Sequence, residues 1–444
     1  MSMVVKNNMS AINTLNTLNK NSSALSKSLQ KVSSGMKINS AADDASGYAI
    51  SERMRVQIRG LDQANANTQN GSSMMKVAEG AVSSTVEILK TLKEKVINAA
   101  NDSNTDSDRA TIQKELDQSI DQINDNANIT FNGKYLVDGS HNSKVTATTT
   151  ALTNESLYST TNFSTKFTDM QDRNGQSLNI TSKDTVTISF VKEGKTYSTS
   201  VKATDNLETL LKSANKVKEQ GTTTANNSFS VAKMGTTSDI GKDIATDPVH
   251  TADFGNALTI NAAASGVKAQ VSGITISVTD SQGKVKKSAN AVLDNFSESI
   301  RAQNASDDNA ISLQVGTKAN QSIRVGLTDM RAEALGLQGS DGSTLQIGTQ
   351  AQANAAINVL DNAVQKALDQ QTTIGSVESR LEYTSSNLTT SSENVQSSES
   401  TIRDADMAKE MTNYTKNNVL LQAAQSMLAQ ANQSSSSVLS LLQG

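Results

Sequence analysis

Residues 15–36 read LNTLNKNSSALSKSLQKVSSGM, and the prominent positions of this stretch recur at alternating steps of three and four. These positions are Leu15, Leu18, Ser22, Leu25, Leu29, Val32 and Met36. Such spacing is that of a coiled coil, because it brings side chains back to one helix face every second turn. The opposite face carries Asn, Ser, Thr and Lys, and Gly35 lies where a helix end is expected. The stretch predicts a helix that packs against another long helix.

The same spacing returns towards the other end of the chain. The helical pattern resumes near Gln346 and continues through Ile374, Val377, Leu381, Thr384, Leu388, Ser391 and Val395. It ends in the series Met407, Met411, Tyr414, Asn418, Leu421, Gln425 and Leu428. Long heptad helices at both ends predict that the N- and C-terminal helices pack together and that the middle projects sideways. Their polar positions predict that an isolated subunit holds its ends loosely.

Between these ends the first third of the chain is also helical. A second helix is expected to open around Ser40, since residues 40–43 have capping-box spacing. Gly60, Gly71 and Gly80 each weaken this helix by about 1 kcal/mol relative to Ala, which leaves a bend or break near Gly71 open. A third helix is predicted from about Asp106 to Ala127, followed by a turn between short strands at residues 132–133.

The middle of the chain changes to Thr, Ser, Asn, Asp and Gly. Residues 186–191 and 197–201 are β-rich and flank Glu193-Gly194-Lys195, so they predict a hairpin. Residues 274–278, followed by residues 280–283, predict a second hairpin, and residues 206–217 a short helix. The fold class is therefore mainly α, with long terminal helices, a short β-hairpin and an inserted α+β region.

The composition excludes several classes of function. The chain has 444 residues, one Pro, no Cys and no Trp, and its formal net charge is −4. The charge gives no reason to expect nucleic acid or a membrane as partner. His141 and His250 stand in Ser/Thr-rich stretches without the close ligand spacing of a zinc hydrolase, so neither a metal nor another cofactor is expected. The first residues lack the apolar run of a secretory signal, and no segment is apolar enough to span a bilayer.

Two motifs at opposite ends of the chain resemble bacterial flagellins. Residues 38–61 read INSAADDASGYAISERMRVQIRGL and are similar to the N-terminal hallmark of that family, which continues in AEGA at 78–81 and FNG at 131–133. Residues 398–411 read SESTIRDADMAKEM and residues 427–433 read MLAQANQ, and both are similar to the C-terminal hallmark. The resemblance covers roughly residues 1–140 and 300–444, whereas the middle matches no family.

The resemblance implies a non-enzymatic subunit of the flagellar filament, divided into three domains. Residues 1–40 and 402–444 would form a terminal coiled-coil inner tube, residues 41–140 and 300–401 a helical outer tube with a β-hairpin, and residues 141–299 a variable surface region. The residues expected in the polymerising helical seams are Leu15, Leu18, Leu25, Leu29, Val32, Met407, Met411, Tyr414, Leu421 and Leu428.

The same resemblance implies the partners and the location of the protein. It implies a homopolymer that is secreted, unfolded, through the flagellar type III apparatus and that folds in the extracellular filament. The expected partners are an export chaperone at the C-terminal helix, the filament cap and the hook-associated junction proteins. Two rivals stay open: a hook–filament junction protein, and a secreted adhesin or enzyme that uses flagellin-like ends for export.

One patch departs from the family at a surface that binds the animal innate flagellin receptor. By resemblance this surface comprises Lys90, Thr91, Lys93, Glu94, Lys95 and Glu115. Many flagellins have Arg at the positions of Thr91 and Lys93 and Leu at that of Lys95, while Glu115 matches. Since Arg offers a planar fork of donors that neither Thr nor Lys reproduces, the sequence predicts weak recognition by the receptor.

Overall fold

The computed structural model describes residues 8–217, 228–230, 235–243, 245–252 and 254–443. Residues 1–7 of the predicted terminal domain, and parts of the predicted variable region, lie outside the described residues. The helices are, in chain order, α1 (Met9–Ser34), α2 (Ala45–Ala99), α3 (Asp106–Ala127), α4 (Leu207–Lys216), α5 (Lys287–Leu293), α6 (Gln350–Arg403) and α7 (Met407–Gln443).

Short antiparallel sheets occupy the stretch between α3 and α6. The strands are β1 (Thr130–Phe131), β2 (Lys134–Tyr135), β3 (Ala151–Asn154), β4 (Thr185–Lys192), β5 (Lys195–Lys202), β6 (Gly235–Thr237), β7 (Asp239–Lys242), β8 (Pro248–His250), β9 (Ala257–Asn261), β10 (Val271–Thr279), β11 (Ser297–Ile300), β12 (Ile311–Gln314) and β13 (Ser322–Val325). The larger sheets have the orders β10-β4-β5 and β11-β3-β9-β6, and the pairs β1-β2, β7-β8 and β12-β13 stand apart. Long terminal helices around small sheets confirm the predicted fold class.

The chain forms two compact units. The first unit comprises Met1–Thr68, Gln314–Gln321 and Tyr383–Gly444, and the second comprises Gln69–Leu313 and Ser322–Glu382. The middle of the second unit has its own hydrophobic core, formed by buried residues between Leu152 and Leu293. Its incoming and outgoing segments are paired at Val145 and Ser306, whose backbones exchange two hydrogen bonds of 3.0 Å.

Local capping explains where the first and third helices begin and end. The Asn8 side chain accepts a hydrogen bond from the Ala11 N–H at 3.0 Å, and Gly35 ends α1 in the left-handed region at φ 71°. Gly adopts this conformation without the cost of a Cβ clash. Thr105 and Asp108 form a reciprocal capping box at the start of α3. The predicted bounds of α3 are confirmed.

The predicted start of the second helix at Ser40 is wrong. The Asp43 carboxylate accepts hydrogen bonds from the Ser40 N–H and hydroxyl, each at 3.1 Å, so the pair closes a turn ahead of the helix. The helix itself begins at Ala45, where the Asp44 carboxylate accepts from the N–H groups of Ser46 and Gly47 at 3.1 Å. A capping-box spacing is satisfied equally well by such a turn, which explains the error. The predicted return of the helical pattern near Gln346 is closer to the structure, in which α6 begins at Gln350.

Helix α2 continues without a break through Gly71. Gly60 and Gly71 instead lie where neighbouring residues approach the helix closely. In the second unit, a Cβ at Gly71 would lie 2.6 Å from Leu313 Cδ1 at the end of β12. In the first unit, a Cβ at Gly60 would lie 2.9 Å from Thr317 Cγ2 in the loop after β12. Because Gly has no side chain, Gly60 and Gly71 leave room for Thr317 and Leu313 to pack against the backbone of α2.

The hairpin predicted around residues 193–195 is confirmed, and the second predicted hairpin is wrong. Strands β4 and β5 pair throughout, from Thr185↔Lys202 to Lys192↔Lys195. Strand β10, which was expected to pair with the segment after residue 283, pairs instead with β4 along the sheet. The return segment makes one isolated bridge, Thr279↔Val285, and then enters α5. A polar turn signal fixes a reversal of the chain but not the partner of the preceding strand.

Candidate assembly surface

Helices α1 and α7 pack along each other within the first unit. Three side-chain amides bridge them: Asn8 Nδ2 donates to Ala431 O at 3.2 Å, Asn21 Nδ2 to Leu420 O at 3.2 Å, and Asn417 Nδ2 to Ser28 Oγ at 3.0 Å. The two of these bonds that are partly buried, from Asn8 and Asn417, favour one register of the two helices, because a buried amide left without a partner is unfavourable.

We define the seam as the line of half-buried and buried positions along this helix pair. On α1 it contains Ala11, Thr14, Leu18, Asn21, Leu25, Ser28 and Val32. On α7 it contains Tyr414, Asn417, Leu421, Ala424, Leu428 and Ala431. Large apolar residues thus alternate with small or polar ones, and these small or polar positions carry the hydrogen bonds between the helices.

The structure places the predicted seam residues in two groups. Six of them lie in the seam: Leu18, Leu25, Val32, Tyr414, Leu421 and Leu428. The other four, Leu15, Leu29, Met407 and Met411, are exposed beside it. The sequence pattern placed its polar steps at Ser22, Asn418 and Gln425. The helix pair instead uses Asn21, Ser28 and Asn417. Each of these polar residues lies seven residues, or a multiple of seven, from another seam position. This spacing is the sequence signal that could have identified them.

Exposed apolar side chains therefore cover the outside of the α1–α7 pair. On α1 these are Met9, Ile12, Leu15 and Leu29, and on α7 they are Met407, Met411, Val419, Leu420 and Met427, with exposures from 41% to 61%. Among the described side chains, only Ser28 on α1 and Ala424 on α7 are buried. A helix pair that buries so little and exposes so much apolar surface is typical of an element completed by other copies.

The segment that follows α1 and the segment that precedes α7 lie side by side at one end of the helix pair, next to Arg403. The Lys37 N–H donates to Arg403 O at 2.7 Å, and the Ala405 N–H donates to Gly35 O at 3.0 Å. Arg403 is 6% exposed, and its guanidinium donates to Glu52 Oε1 at 2.7 Å and lies over the Tyr48 ring. This hydrogen bond lowers the pKa of Glu52. Arg403, which the sequence analysis did not single out, therefore joins the two segments to the start of α2.

Comparison with known proteins accounts for this arrangement. Residues 5–142 match the bacterial flagellin N-terminal helical region, and residues 357–442 match the bacterial flagellin C-terminal helical region. The chain is 35% identical over 437 residues to a flagellin of Clostridium tyrobutyricum, and the match covers 97% of this chain and 99% of the relative. The chain belongs to the bacterial flagellin family. Flagellins are structural subunits of the flagellar filament, an extracellular appendage, and not enzymes.

Other relatives extend the match along the whole chain. A flagellin of Bacillus subtilis (strain 168) is 31% identical over 464 residues, covering 99% of this chain and 100% of the relative. Among solved structures, the flagellar hook associated protein-3 of Legionella pneumophila is 15% identical, with a TM-score of 0.33, over 78% of this chain and 97% of that one. A similarity at this TM-score supports no further conclusion.

The residues predicted for the receptor surface lie on α2 and α3 of this flagellin. Lys95 Nζ lies 3.0 Å from Glu115 Oε1, and Lys93 forms an ion pair with Asp361 of α6. Lys90 Nζ lies 2.8 Å from Glu87 Oε1, and the Thr91 hydroxyl donates to the Glu87 backbone carbonyl at 3.0 Å. Glu94 is exposed on the same helix. Two basic residues that depart from the family pattern are thus held by carboxylates of the subunit itself.

A buried group of charges lies elsewhere in the second unit, where β11 meets α6. The Glu298 side chain is 4% exposed, with Oε2 3.8 Å from Arg301 Nε and Oε1 without a hydrogen-bond partner among the described residues. Arg301 also pairs with Asp369 at 2.7 Å, and the buried Lys366 Nζ donates to Ala334 O at 2.6 Å. Burial raises the pKa of Glu298 to about 7, against the opposing effect of Lys366 and Arg301.

The described residues offer neither a metal site nor a membrane span. Within the ranges given above, no set of three or more His, Asp or Glu residues is grouped so as to hold a metal ion. Across those same ranges, every helix is too short or too polar to cross a membrane.

Proposed function

We propose that the exposed apolar residues beside the seam are the surfaces through which copies of this subunit join in the filament. The observation that supports this is the division of the large side chains: Leu18 and Leu25 pack within the helix pair, while Leu15 and Leu29 point away from it. Burying an exposed Leu contributes about 1.5–3 kcal/mol. Several such residues per copy therefore supply a substantial free energy of association.

Paired variants separate assembly from folding of the helix pair. Leu15→Ser with Leu29→Ser should leave the helicity of the monomer unchanged and abolish growth on filament seeds, seen by electron microscopy. The matched control, Leu18→Ser with Leu25→Ser, should lower helicity as well, because those residues lie in the seam. If the Leu15 and Leu29 variant still forms filaments at the normal rate, the proposed surface is wrong.

Export is the second part of the proposal. The subunit passes unfolded through the flagellar type III apparatus, after a cytoplasmic chaperone has bound the C-terminal helix around residues 411–442. The exposed Val419, Leu420 and Met427 support this, because an uncovered apolar surface favours aggregation before export. Deleting residues 411–444 should abolish chaperone binding in a pull-down, and unchanged binding would contradict the assignment. The filament cap and the hook-associated junction proteins would be the partners at the two ends of the polymer.

Recognition by the animal innate flagellin receptor is the third part, and we propose that it is weak. The ion pair between Lys95 and Glu115 supports this, since the glutamate that matches the family already has a cationic partner 3.0 Å away. Losing a charge-assisted hydrogen bond to a receptor costs roughly 1.5–3 kcal/mol, or about tenfold to a hundredfold in affinity. Lys93 recovers little of this, because it is paired with Asp361.

A reporter-cell dose response tests the receptor proposal. The variant combining Thr91→Arg, Lys93→Arg and Lys95→Leu should give the same signal as the native protein at a dose that is at least about tenfold lower. Lys95→Leu alone releases Glu115 without adding an Arg. It therefore separates the effect of freeing Glu115 from the effect of the two added Arg side chains. Lys114→Leu, on the exposed surface of α3, serves as the charge-matched control. Equal potency of the native protein and the triple variant would refute the argument.

A further inference from the structure

The methionines of the described residues differ in exposure, and most are either clearly exposed or buried. Four lie on α1 and α7 and are between 42% and 61% exposed: Met9, Met407, Met411 and Met427. Four lie in the second unit and are at most 6% exposed: Met74, Met75, Met170 and Met330. Met36 and Met54 are half-buried, and Met36 Sδ accepts a hydrogen bond from Arg403 Nε at 3.2 Å.

Methionine differs chemically from the leucines that share this surface. Its thioether sulfur is oxidised to a sulfoxide, which turns a flexible apolar side chain into a polar one. Leu15 and Leu29 undergo no such change. The surface that we propose for assembly therefore contains residues whose polarity an oxidant can alter, and the seam, formed by residues such as Leu18, Leu25 and Leu421, contains none.

We propose that Met9, Met407, Met411 and Met427 form an oxidation site that controls whether the free subunit can enter the filament. This inference rests on the proposed assembly surface. In the reaction with hydrogen peroxide, the sulfur lone pair forms a bond to one peroxide oxygen while the O–O bond breaks. The sulfur loses two electrons and becomes a sulfoxide, and the peroxide is reduced to one molecule of water after proton transfer.

The sulfoxide oxygen is a strong hydrogen-bond acceptor, and burying it without a donor is unfavourable. Met411 and Met427 lie on opposite flanks of the seam on α7, so oxidation places polar groups on both sides of the helix pair. The free subunit is open to the oxidant, whereas contact with neighbouring copies covers the same sulfurs in the filament. The buried methionines of the second unit stay reduced, so its fold is preserved.

The test uses the full-length subunit, hydrogen peroxide and preformed filament seeds. Mass spectrometry should find sulfoxide first at the four exposed methionines in free subunits, and at least about tenfold more slowly at these positions in filaments. Elongation by oxidised subunits should be slowed about tenfold or more, with unchanged monomer helicity. Treatment with methionine sulfoxide reductases should restore it. A variant with Leu at all four positions should elongate before and after peroxide.

The outcomes are distinguishable from those for the proposed function. If the variant with Leu15→Ser and Leu29→Ser elongates seeds at the normal rate, the assembly surface itself is wrong. If subunits carrying sulfoxide at all four positions elongate normally, the oxidation site is refuted while assembly stands. If the Leu variant elongates but is inactivated by peroxide, the sensitive group lies elsewhere and the inference is overturned. If that variant fails to elongate at all, the reductase rescue of the native protein decides the question.

Discussion

Replacing Glu298 by Gln should change how the stability of the second unit depends on pH. Gln has nearly the same shape and does not titrate. Glu298 lies in β11, with its side chain 4% exposed and one carboxylate oxygen without a partner among the described residues. Lys366 faces it from α6 and Arg301 from the end of its own strand. Burial raises the pKa of Glu298 from 4.5 to about 7.

The sign and the size of the effect follow from this shift. The folded protein keeps the Glu298 proton over a range of pH in which the unfolded chain has lost it, so the stability from this group falls as the pH rises from about 4.5 to about 7. A shift of that width corresponds to about 3 kcal/mol. Burial raises the pKa of Asp294 to about 6 in the same direction, and burial lowers the pKa of Lys366, which acts in the opposite sense. Asp294 is common to the native protein and the variant, so its contribution cancels in the difference between the two. Lys366 interacts with Glu298, so that difference reports on Glu298 together with its effect on Lys366.

Urea titrations at pH 5 and pH 8, followed by hydrogen exchange of peptides that contain residues 294–301, measure this difference. At pH 5 the two proteins should have midpoints within about 0.5 M of each other. At pH 8 the variant should be the more stable by up to about 3 kcal/mol, which is a midpoint shift of up to about 1–3 M for m-values of about 1–3 kcal/mol/M. If the native protein is equally or more stable than the variant at pH 8, Glu298 is held as a carboxylate by Lys366 and Arg301, and the reasoning fails.

Three further predictions concern the ends, one turn and the middle. Limited proteolysis should cleave residues 1–40 and 405–444 much faster in the monomer than in the filament, and equal resistance would contradict loosely held ends. Gly194→Ala should destabilise the β4–β5 hairpin by about 2 kcal/mol or more in thermal unfolding, because φ is +74° and its Cβ would lie 2.6 Å from Ser343 O. Gly283→Ala is the matched control, with φ +81° and nothing within 4 Å of the Cβ, and an equal loss in both variants would exclude the contact with Ser343. Replacing residues 145–295 by a short Gly/Ser linker should still give filaments by electron microscopy, and loss of assembly in an exported, soluble protein would refute this.

The elements that sequence alone could predict are those fixed by local chemistry. Helix α3 was predicted from the helical spacing of its apolar residues, and the β4–β5 hairpin from two β-prone stretches around Gly194. Both have nearly the predicted bounds. The heptad spacing likewise predicted that α1 and α7 are long paired helices. Each of these signals lies within the element that it predicts.

The errors arise where more than one solution satisfies the local pattern. Ser40 and Asp43 can cap a helix or close a turn, and in the structure they close a turn ahead of α2. The seam is displaced from the largest side chains because Asn21, Ser28 and Asn417 bond across the helix pair. The ion pair between Lys95 and Glu115 joins two helices, so the spacing within either helix gives no sign of it.

The pairing of Val145 with Ser306 has a consequence for how this protein can diversify. Because the two backbone segments are already adjacent there, the whole intervening stretch is attached to the helical part of the chain as one closed loop. Any folded module whose termini lie close together could occupy that position without stretching either segment. The intervening module could thus be exchanged without altering the segments on either side of it, and the same junction offers a point for inserting a foreign domain into every copy.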